Sequence, residues 1–376
     1  MTRWPEDVPH LSNGRVGLRA HRDDDVPAIV EMCRDPLARR WTDLPDPYEP
    51  SDAESFLREK VAPGWQAGSA RGWAIEVLDA DGGARYAGNL DIRGGPAADI
   101  GFLLHPWARG RGAMSDAVRL ALQWCFAEGT ESVTWLARVG NVASLRVAWA
   151  CGFTFNGTLP RRLGRPPLAD AWIGTVVAGD ELMPKNRWLT PTVLRGNRIR
   201  LRPFDADDIP RIVEGCSDAR TAHWLAQLPD PYTEGSARAY LDTLTVNESL
   251  ARGIAWCVAD LESDSLLGSI GLMDLEPDKA SGEVGYWTHP DARGRGVMTE
   301  AVNLVVEHAL APAEPGLRMR RLQLLAAAGN TASIEIARRA GFSRVGRERE
   351  AERLRDGTFD DLITFDLLAS DHRRNA

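Results

Sequence analysis

The sequence is poor in the features that mark secreted, metal-stapled and membrane-spanning proteins. Its cysteines are odd in number, include no CxxC pair and lie at Cys33, Cys125, Cys151, Cys216 and Cys257. This argues against a disulfide framework or a zinc knuckle and is typical of a reducing compartment. No apolar run approaches membrane-spanning length, and the opening decapeptide MTRWPEDVPH lacks the apolar core of a signal peptide. We therefore expect a cytoplasmic protein without a membrane partner.

The sequence also has no excess of basic residues. The chain has 45 Lys and Arg residues against 53 Asp and Glu residues, for a net charge of −8. An acidic chain without a basic block argues against a general nucleic-acid binder. Its 44% hydrophobic and 26% charged residues are typical of a soluble globular protein, and 376 residues suit two domains better than one core.

The sequence does have a long internal repeat. ARGRGAMSDAV at 108–118 and ARGRGVMTEAV at 292–302 agree at eight of eleven positions. LPDPY occurs in both halves, DIGFLLHP is followed by EVGYWTHP, and GNVASLRVAWACGF by GNTASIEIARRAGF. The offset grows from 184 residues at the Arg-Gly turn to 189 at the Gly-Asn pair, which predicts a five-residue insertion near 311–316. Two copies of this size indicate a domain duplication, not a solenoid.

The boundary between the copies is expected within 180–196, a segment with two prolines and no sustained periodicity. We place the first domain at 1–182, a linker at 183–192 and the second domain at 193–376. In each copy a strand leads into the Arg-Gly turn, and a helix with apolar residues at helical spacing follows. A further strand and helix come next. Each half is therefore expected to contain both strands and helices.

The Arg-Gly-Arg-Gly turn lies where a strand meets a helix, which predicts an anion site. Free backbone N–H groups gather at a helix N-terminus, which carries partial positive charge, and glycines let an anion approach closely. Ser115 and Thr299 are placed to add a hydroxyl donor, and the arginines add charge. The expected ligand is a phosphate or pyrophosphate, although neither the dinucleotide fingerprint nor the P-loop fits. A helix-capping turn is the alternative, and the duplication favours a ligand.

A second repeated pattern joins Asn141 to Ser144 and Asn330 to Ser333. Asparagine is a good helix N-cap, so capping explains it at least as well as a function does. Capping explains the repeated serine less well, because many residues are tolerated at that position.

At these residues the chain resembles the GCN5-related N-acetyltransferase (GNAT) superfamily, whose acyl-CoA motif is [QR]-x-x-G-x-[GA] at a strand–helix junction. Residues 109–114 and 293–298 match it except for a methionine at the last position. That methionine, the early PY turn, the E-[IV]-G-[YF] strand and the N-x-x-S…G-F helix are similar to the ribosomal-protein alanine N-acetyltransferase branch. The resemblance covers nearly the whole chain. It implies two tandem α+β domains, each a twisted mixed sheet flanked by helices and splayed between its fourth and fifth strands to admit acyl-CoA.

The resemblance also assigns residues to the acyl-CoA site and implies no metal. Asn141 and Asn330 would contact the pantetheine arm, and Ser144 and Ser333 would face the sulfur. The strand end would hold the pantetheine and the turn the pyrophosphate, which in the first copy gives Leu103, Leu104, His105, Arg109, Gly110, Arg111, Gly112, Ala113, Met114 and Ser115. In the second copy the same elements give Trp287, Thr288, His289, Arg293, Gly294, Arg295, Gly296, Val297, Met298 and Thr299.

Acyl transfer from a thioester to an amine needs a base for the amine, donors for the oxyanion and a proton or hydrogen bond for the leaving thiolate. Ser333 would assist the thiolate, and strand N–H groups near Trp287 the oxyanion. By the resemblance Glu352 is the general base, with Glu350 and Glu348 as reserves. A solvated surface charge is an equally weighted alternative for Glu352.

The two copies differ around the expected base. The position equivalent to Glu352 in the first copy is Leu163, which has no proton chemistry. Glu283, with Asp99 as its counterpart, is a second base candidate. We therefore expect the second copy to be catalytic and the first to be degenerate or regulatory.

Aromatic residues mark the expected acceptor side. Ten of the thirteen tryptophans precede residue 189, including Trp149 and Trp172, where the second copy has Arg338 and about Leu362. Such indoles most often pack in cores and interfaces. By the resemblance the early helical segment borders the acceptor site, which implicates Trp41, Tyr48, Trp224 and Tyr232.

The sequence thus predicts an N-acetyltransferase that takes acetyl-CoA, or another acyl-CoA, and transfers the acyl group to a primary amine. The acceptor would be a small molecule or a protein N-terminus, and the two domains would form an intramolecular pseudo-dimer. The alternative is a non-catalytic acyl-CoA-binding or regulatory protein. RNA binding through the Arg-Gly turns is disfavoured, because the glycines lie in folded junctions and the chain is acidic.

Overall fold

The computed structural model describes residues 8–78 and 83–375 of the chain, with side chains described to residue 372. The decapeptide inspected for a signal sequence therefore lies mostly outside the described residues. The chain divides into two compact units, of which the first ends at Lys185 and the second begins at Asn186. Across the described ranges, no helix combines the length and apolar character needed to cross a bilayer.

The first unit contains eight strands and six α-helices within its described residues. The strands are β1 (Leu11–Ser12), β2 (Val16–Arg19), β3 (Ala70–Leu78), β4 (Ala84–Gly94), β5 (Ala97–Leu104), β6 (Ser132–Arg138), β7 (Thr154–Leu163) and β8 (Ala169–Val177). The helices are α1 (Val26–Arg34), α2 (Pro36–Trp41), α3 (Pro50–Ser55), α4 (Ala62–Ala67), α5 (Ala113–Ala127) and α6 (Val142–Ala150).

The second unit repeats this order with two differences. A single helix, α9 (Glu234–Ser249), takes the place of α3 and α4, and a helix, α12 (Ala369–Asn375), follows the last strand. The strands are β9 (Leu194–Arg195), β10 (Ile199–Arg202), β11 (Ile254–Asp260), β12 (Leu266–Glu276), β13 (Ser281–Thr288), β14 (Arg321–Ala327), β15 (Ser343–Arg353) and β16 (Phe359–Leu368). The helices are α7 (Ile209–Ser217), α8 (Ala219–Trp224), α9 (Glu234–Ser249), α10 (Val297–Leu310), α11 (Thr331–Arg339) and α12 (Ala369–Asn375).

The two sheets have the same topology. The first runs β1-β2-β3-β4-β5-β6-β8-β7 and the second β9-β10-β11-β12-β13-β14-β16-β15. All neighbouring pairs are antiparallel except β5 with β6 and β13 with β14, which are parallel. The prediction of two mixed α+β units is confirmed. The expected insertion lies in the connection between α10 and β14, which spans residues 311–320, against 128–131 in the first unit.

The helix after each Arg-Gly turn packs its apolar face on the sheet. In α5 the residues at helical spacing are fully buried, as the periodicity predicts: Ala117, Val118, Ala121, Leu122 and Cys125. The matching residues of α10 are also buried: Met298, Ala301, Val305 and Ala309. Each buried valine, leucine or methionine side chain contributes roughly 1.5–3 kcal/mol, and each alanine less. The packing therefore fixes where the N-terminus of each helix points.

Both sheets open at their single parallel pair. β5 pairs with β6 only through Ala97–Ile100, and β13 pairs with β14 only through Ser281–Glu283. Beyond those residues the two strands diverge, which leaves strand edges exposed in the gap. The gap lies between the fourth and fifth strands, as predicted, if the two-residue strands β1 and β9 are left out of the count.

Candidate active site

Both Arg-Gly turns use glycine for its backbone conformation. Gly110, Gly112, Gly294 and Gly296 have φ of 72–77°, in the left-handed region that strains most other residues. Gly112 and Gly296 are the N-cap residues of α5 and α10, and neither helix has a side-chain cap. In the part of the chain that the structure describes, the N–H groups of residues 110–115 and 294–299 find no protein acceptor. Each turn thus offers six free donors at the positive end of a helix.

An arginine that sequence reasoning missed braces each turn. Arg15 donates from Nη1 to the carbonyl of Arg111 at 2.8 Å, and Arg198 donates in the same way to the carbonyl of Arg295 at 2.8 Å. Each guanidinium also pairs with a carboxylate in the first turn of the following helix. A sequence signal for this role was present. The segments GRVGLR and NRIRLR both have an arginine at their second position, Arg15 or Arg198.

The two arginines within each turn differ, because the first contacts a protein side chain and the second points to solvent. Arg109 pairs with Asp35 at 2.8 Å, and Arg293 donates to Asp218 at 2.5 Å and to Thr221 Oγ1 at 2.7 Å. The first arginine of each turn is therefore engaged by the helix that follows α1 or α7. The second arginine, Arg111 or Arg295, is exposed and has a side chain available to an anion.

The strand ends expected to hold the pantetheine are partly engaged. The N–H of His105 donates to Ala87 at 2.7 Å, and the N–H of His289 donates to Leu267 at 2.9 Å. Arg109 Nε donates to the carbonyl of Leu104 at 3.2 Å. Both histidine rings are buried behind the strand. The carbonyls of Leu103 and Trp287 also face the neighbouring strand, next to Gly88 and Gly268. The strand backbone that remains for a ligand in the gap therefore belongs to the alternate residues, such as Thr288.

The repeated asparagines cap helices. Asn141 accepts from the N–H of Ser144, and Asn330 accepts from the N–H of Ser333, each at 3.2 Å. The capping alternative therefore accounts for both asparagines. Their contact with a pantetheine arm stays a prediction.

The two serines differ in their surroundings. Ser144 Oγ accepts from the indole N–H of Trp135 at 2.9 Å, so the first unit already uses this hydroxyl within its core. In the second unit the same place has Leu324, and Ser333 faces the hydroxyl of Tyr286 instead.

Tyr286 is a polar residue that sequence reasoning passed over. Its hydroxyl is buried and faces Ser333, and burial raises its pKa to about 12. The sequence signal for Tyr286 is the difference between the copies, because the first unit has phenylalanine, Phe102, at the equivalent position.

The two candidate bases of the second unit lie near enough to interact electrostatically. Burial raises the pKa of Glu283, and repulsion from Asp274 and Glu352 raises it further. Burial also raises the pKa of Glu352. A carboxylate with a raised pKa is a better proton acceptor near neutrality than an exposed one. Two such groups beside the gap can remove the proton of a bound ammonium.

The first unit neutralises the equivalent carboxylate. Asp99 occupies the place of Glu283, and Arg93 donates to it from Nε at 2.7 Å. Arg93 also lies 3.3 Å from Asp91, whose pKa burial raises to about 6. In the second unit the residue opposite Glu283 is Met273, and Glu283 has no ion pair among the described residues. This charge difference adds to the contrast between Glu352 and Leu163.

Matching bulges align Glu352 with Leu163. Leu163 pairs with Ala169 and Glu352 with Asp360, each beyond a bulge that contains a residue in the left-handed conformation. In β15 that residue is Glu350, whose N–H donates to Asp361 at 2.9 Å. The reserve bases Glu350 and Glu348 are exposed, whereas Glu352 is half-buried.

The predicted acceptor residues fall into two groups. Trp224, at the end of α8, lies against Gly329 beside the cap of α11, where an added Cβ would be 3.3 Å from the indole. Trp41 is half-buried at the end of α2 beneath the guanidinium of Arg40. Tyr48 and Tyr232 are buried in the hydrophobic clusters below these helices and expose 5% and 8% of their surface.

The two further tryptophans of the first unit also differ. Trp172 is a core residue with 2% exposure, and strand register places Ile363 at its position in the second unit, one residue beyond the expected Leu362. Trp149 is half-buried on α6.

One group of metal-type donors occurs in the ranges that the structure describes, formed by Glu214, His289 and Asp291. Arg211 lies within this group, 3.1 Å from His289 Nδ1 and 2.9 Å from Asp291. A guanidinium at that position opposes a cation. The expectation of a metal-free enzyme stays a prediction.

Comparisons with known proteins find similar sequences and structures. YdaF of Bacillus subtilis, provisionally named a ribosomal N-acetyltransferase, is 26% identical over 45% of this chain and 88% of its own length. The ribosomal-protein-serine acetyltransferase of Escherichia coli is 30% identical over 30% of this chain and 61% of its own length. Among solved structures, the ribosomal-protein-S5-alanine acetyltransferase of Vibrio fischeri matches 48% of this chain and 98% of its own, with 16% identity and a TM-score of 0.43.

The family model described as "Acetyltransferase (GNAT) domain" matches the chain twice, at residues 15–154 and 198–343. Each match includes a strand that leaves its parallel neighbour, a glycine turn with free N–H groups and the helix that follows. The resemblance to ribosomal-protein acetyltransferases and the tandem duplication are both confirmed. The chain belongs to the GNAT acetyltransferase family and contains its domain in two copies.

Proposed function

We propose that the protein is an acyl-CoA-dependent N-acyltransferase, with acetyl-CoA as donor and the second unit as the working site. The observations that carry the proposal are two carboxyl groups with raised pKa values, Glu283 and Glu352, together with a strand gap and a glycine turn whose N–H groups find no acceptor in the described structure.

The turns support binding of a diphosphate. Gly294 and Gly110 have open space where a Cβ would lie, so a phosphate can approach the backbone there. Six free N–H groups and an exposed arginine, Arg295 or Arg111, provide donors and charge. When bound, acyl-CoA supplies the activated thioester, and the gap between the diverging strands accommodates its arm.

The residues of the second unit support each chemical requirement. Glu283 or Glu352 would take a proton from the amine, whose free pKa is about 10. Strand N–H groups near Trp287 would stabilise the oxyanion. Ser333 would donate to the leaving sulfur, and Tyr286 stands beside it with its own proton.

The first unit supports a second candidate role, which is acyl-CoA binding without turnover. It keeps the glycine turn but pairs Asp99 with Arg93, has Leu163 in place of Glu352 and uses Ser144 to hold Trp135. Those substitutions preserve a binding site while they remove proton chemistry.

The acceptor in this proposal is a primary amine on a small molecule or at a protein N-terminus. Relatives named as ribosomal-protein acetyltransferases favour the second of these. Trp224, half-buried next to Gly329, is the residue we place nearest the acceptor.

The test is release of CoA from acetyl-CoA by the purified full chain, with a panel that contains peptide N-termini and small amines. We expect amine-dependent release together with an acetylated product of the added mass. Tight CoA binding with no release above the uncatalysed rate for every amine would instead identify a binding protein.

A further inference from the structure

A short helix connects the acyl-CoA turn to the acceptor side in each unit. In the second unit this helix is α8, which begins at the N-cap residue Asp218 and ends at Trp224. Its first turn is tied to the Arg-Gly turn through Arg293, which donates to Asp218 at 2.5 Å and to Thr221 Oγ1 at 2.7 Å. Its last residue packs on Gly329, directly before the cap of α11.

The link is built into the fold rather than being a chance surface pair. Asp218 also accepts from the N–H of Thr221 at 3.0 Å, so one carboxylate caps α8 and holds the turn at the same time. Arg293 exposes 26% of its side chain and Asp218 exposes 26% of its own, so water only partly screens the pair. The hydrogen bond from Arg293 holds the pKa of Asp218 below its usual range.

The first unit has the same connection with different residues at its far end. Arg109 pairs with Asp35 at 2.8 Å, and Asp35 caps α2 by accepting from two backbone N–H groups. At the other end of α2, Arg138 of β6 donates to the carbonyl of Arg40 at 3.1 Å. The arginine–cap pair has therefore been retained in two copies whose other contacts have diverged.

We propose that Arg293 is a positioning residue that couples acyl-CoA binding to the acceptor side through α8. The inference rests on the proposed function of the second unit. A ligand that orders residues 294–299 restrains Arg293, and Arg293 restrains the cap of α8 and hence Trp224. Arg293 then acts through Asp218 and not by direct contact with a phosphate, which falls to the backbone N–H groups and Arg295.

Hydrogen exchange of the full chain with CoA alone tests the coupling without any amine. We expect CoA to slow exchange both in the turn, 293–299, and in α8, 219–224. Asp218→Asn keeps a capping oxygen and removes the charge of the pair, so its α8 should lose the CoA-dependent protection while its turn retains it. Asp35→Asn is the matched control, which should change α2 and leave α8 as in the wild type.

Kinetics provide the second readout. In Asp218→Asn the KM for the amine should rise about five- to tenfold, the lower range of site-to-site coupling, while the KM for acetyl-CoA stays within about twofold. Arg293→Lys should have the same effect, and the double variant should be no worse than either single variant. These patterns separate coupling from a general loss of structure, which would change both KM values.

Several outcomes would overturn the inference. Unchanged exchange of α8 in the wild type, while CoA protects the turn, would remove the coupling but leave the proposed function intact. Tighter CoA binding by Asp218→Asn would mean that Arg293, once released, contacts the phosphates directly. If CoA protected neither turn, the proposed function would fail as well, and the inference with it.

Discussion

Replacement of Gly296 by aspartate is expected to remove CoA binding from the second unit through charge. Gly296 has a φ of 72°, and an added Cβ would meet only the guanidinium of Arg198, at 3.2 Å, within 4 Å. The remaining space is that in which the free N–H groups of 294–299 converge. Asparagine and aspartate visit the left-handed region more readily than other side chains, so the backbone can accept both.

Electrostatic repulsion between the new carboxylate and the phosphate determines how much CoA affinity is lost. A carboxylate about 4 Å from one phosphate charge is repelled by roughly 4 kcal/mol at an effective dielectric constant of 20. This corresponds to about a thousandfold loss of affinity. The value is an upper bound, because Arg198 neutralises part of the new charge. Gly296→Asn has the same shape without the charge, so its loss comes from backbone strain of roughly 1–2 kcal/mol, or about five- to thirtyfold.

Titration calorimetry with CoA measures both variants against the wild type, and thermal unfolding checks that each is folded. We expect one tight site to disappear in Gly296→Asp and to persist, weakened, in Gly296→Asn. Gly112→Asp is the matched change in the first unit and should affect the other site. Equal affinities for the Asp and Asn variants, or unchanged affinity in both Gly296→Asp and Gly112→Asp, would refute the anion-site reasoning.

Further expectations concern the carboxylates and the first unit. Glu352→Gln should lower kcat by about 10²–10⁴ with little change in CoA affinity if Glu352 is the base, and the loss should shrink as pH approaches the pKa of the amine. If Glu283 is the base instead, removal of the neighbouring charge lowers the pKa of Glu283, so the acidic limb of the pH–rate profile should move to lower pH with only a modest loss of rate. Because burial raises both pKa values, that limb should lie above the range of an exposed glutamate in the wild type. Leu163→Ala should lower thermal stability more than rate, by about 1 kcal/mol, since Leu163 is half-buried and carries no proton; a large loss of kcat without a change in melting temperature would contradict this.

The sequence predicted the parts of the fold that depend on local pattern. Apolar periodicity located α5 and α10, and glycine content located the left-handed turns, because both depend on residues adjacent in the chain. The α+β class and the splay between the fourth and fifth strands came from the family resemblance and are confirmed, and the structure adds that this pair is parallel.

The contacts that distinguish the two sites could not be predicted from local sequence pattern, because they depend on strand register and on tertiary structure. The pairing of Arg93 with Asp99 requires the register of β4 against β5, and the electrostatic influence of Glu352 on Glu283 requires the strand order of the folded sheet. The engagement of Arg293 by Asp218 likewise joins residues 75 positions apart. Motif matching assigned that arginine to the ligand, whereas tertiary structure gives its side chain a protein partner.

The matched serines give the most direct test of where acetyl transfer takes place. Ser333 and Ser144 occupy the same position of α11 and α6, and alanine removes the same hydroxyl from each. The measurement is kcat for transfer from acetyl-CoA to an amine that the wild type acetylates, with CoA affinity recorded for both variants. Our account predicts a large loss of kcat in Ser333→Ala and a rate within about twofold of the wild type in Ser144→Ala. Full activity in Ser333→Ala with loss of activity in Ser144→Ala would place the working site in the first unit and contradict the account.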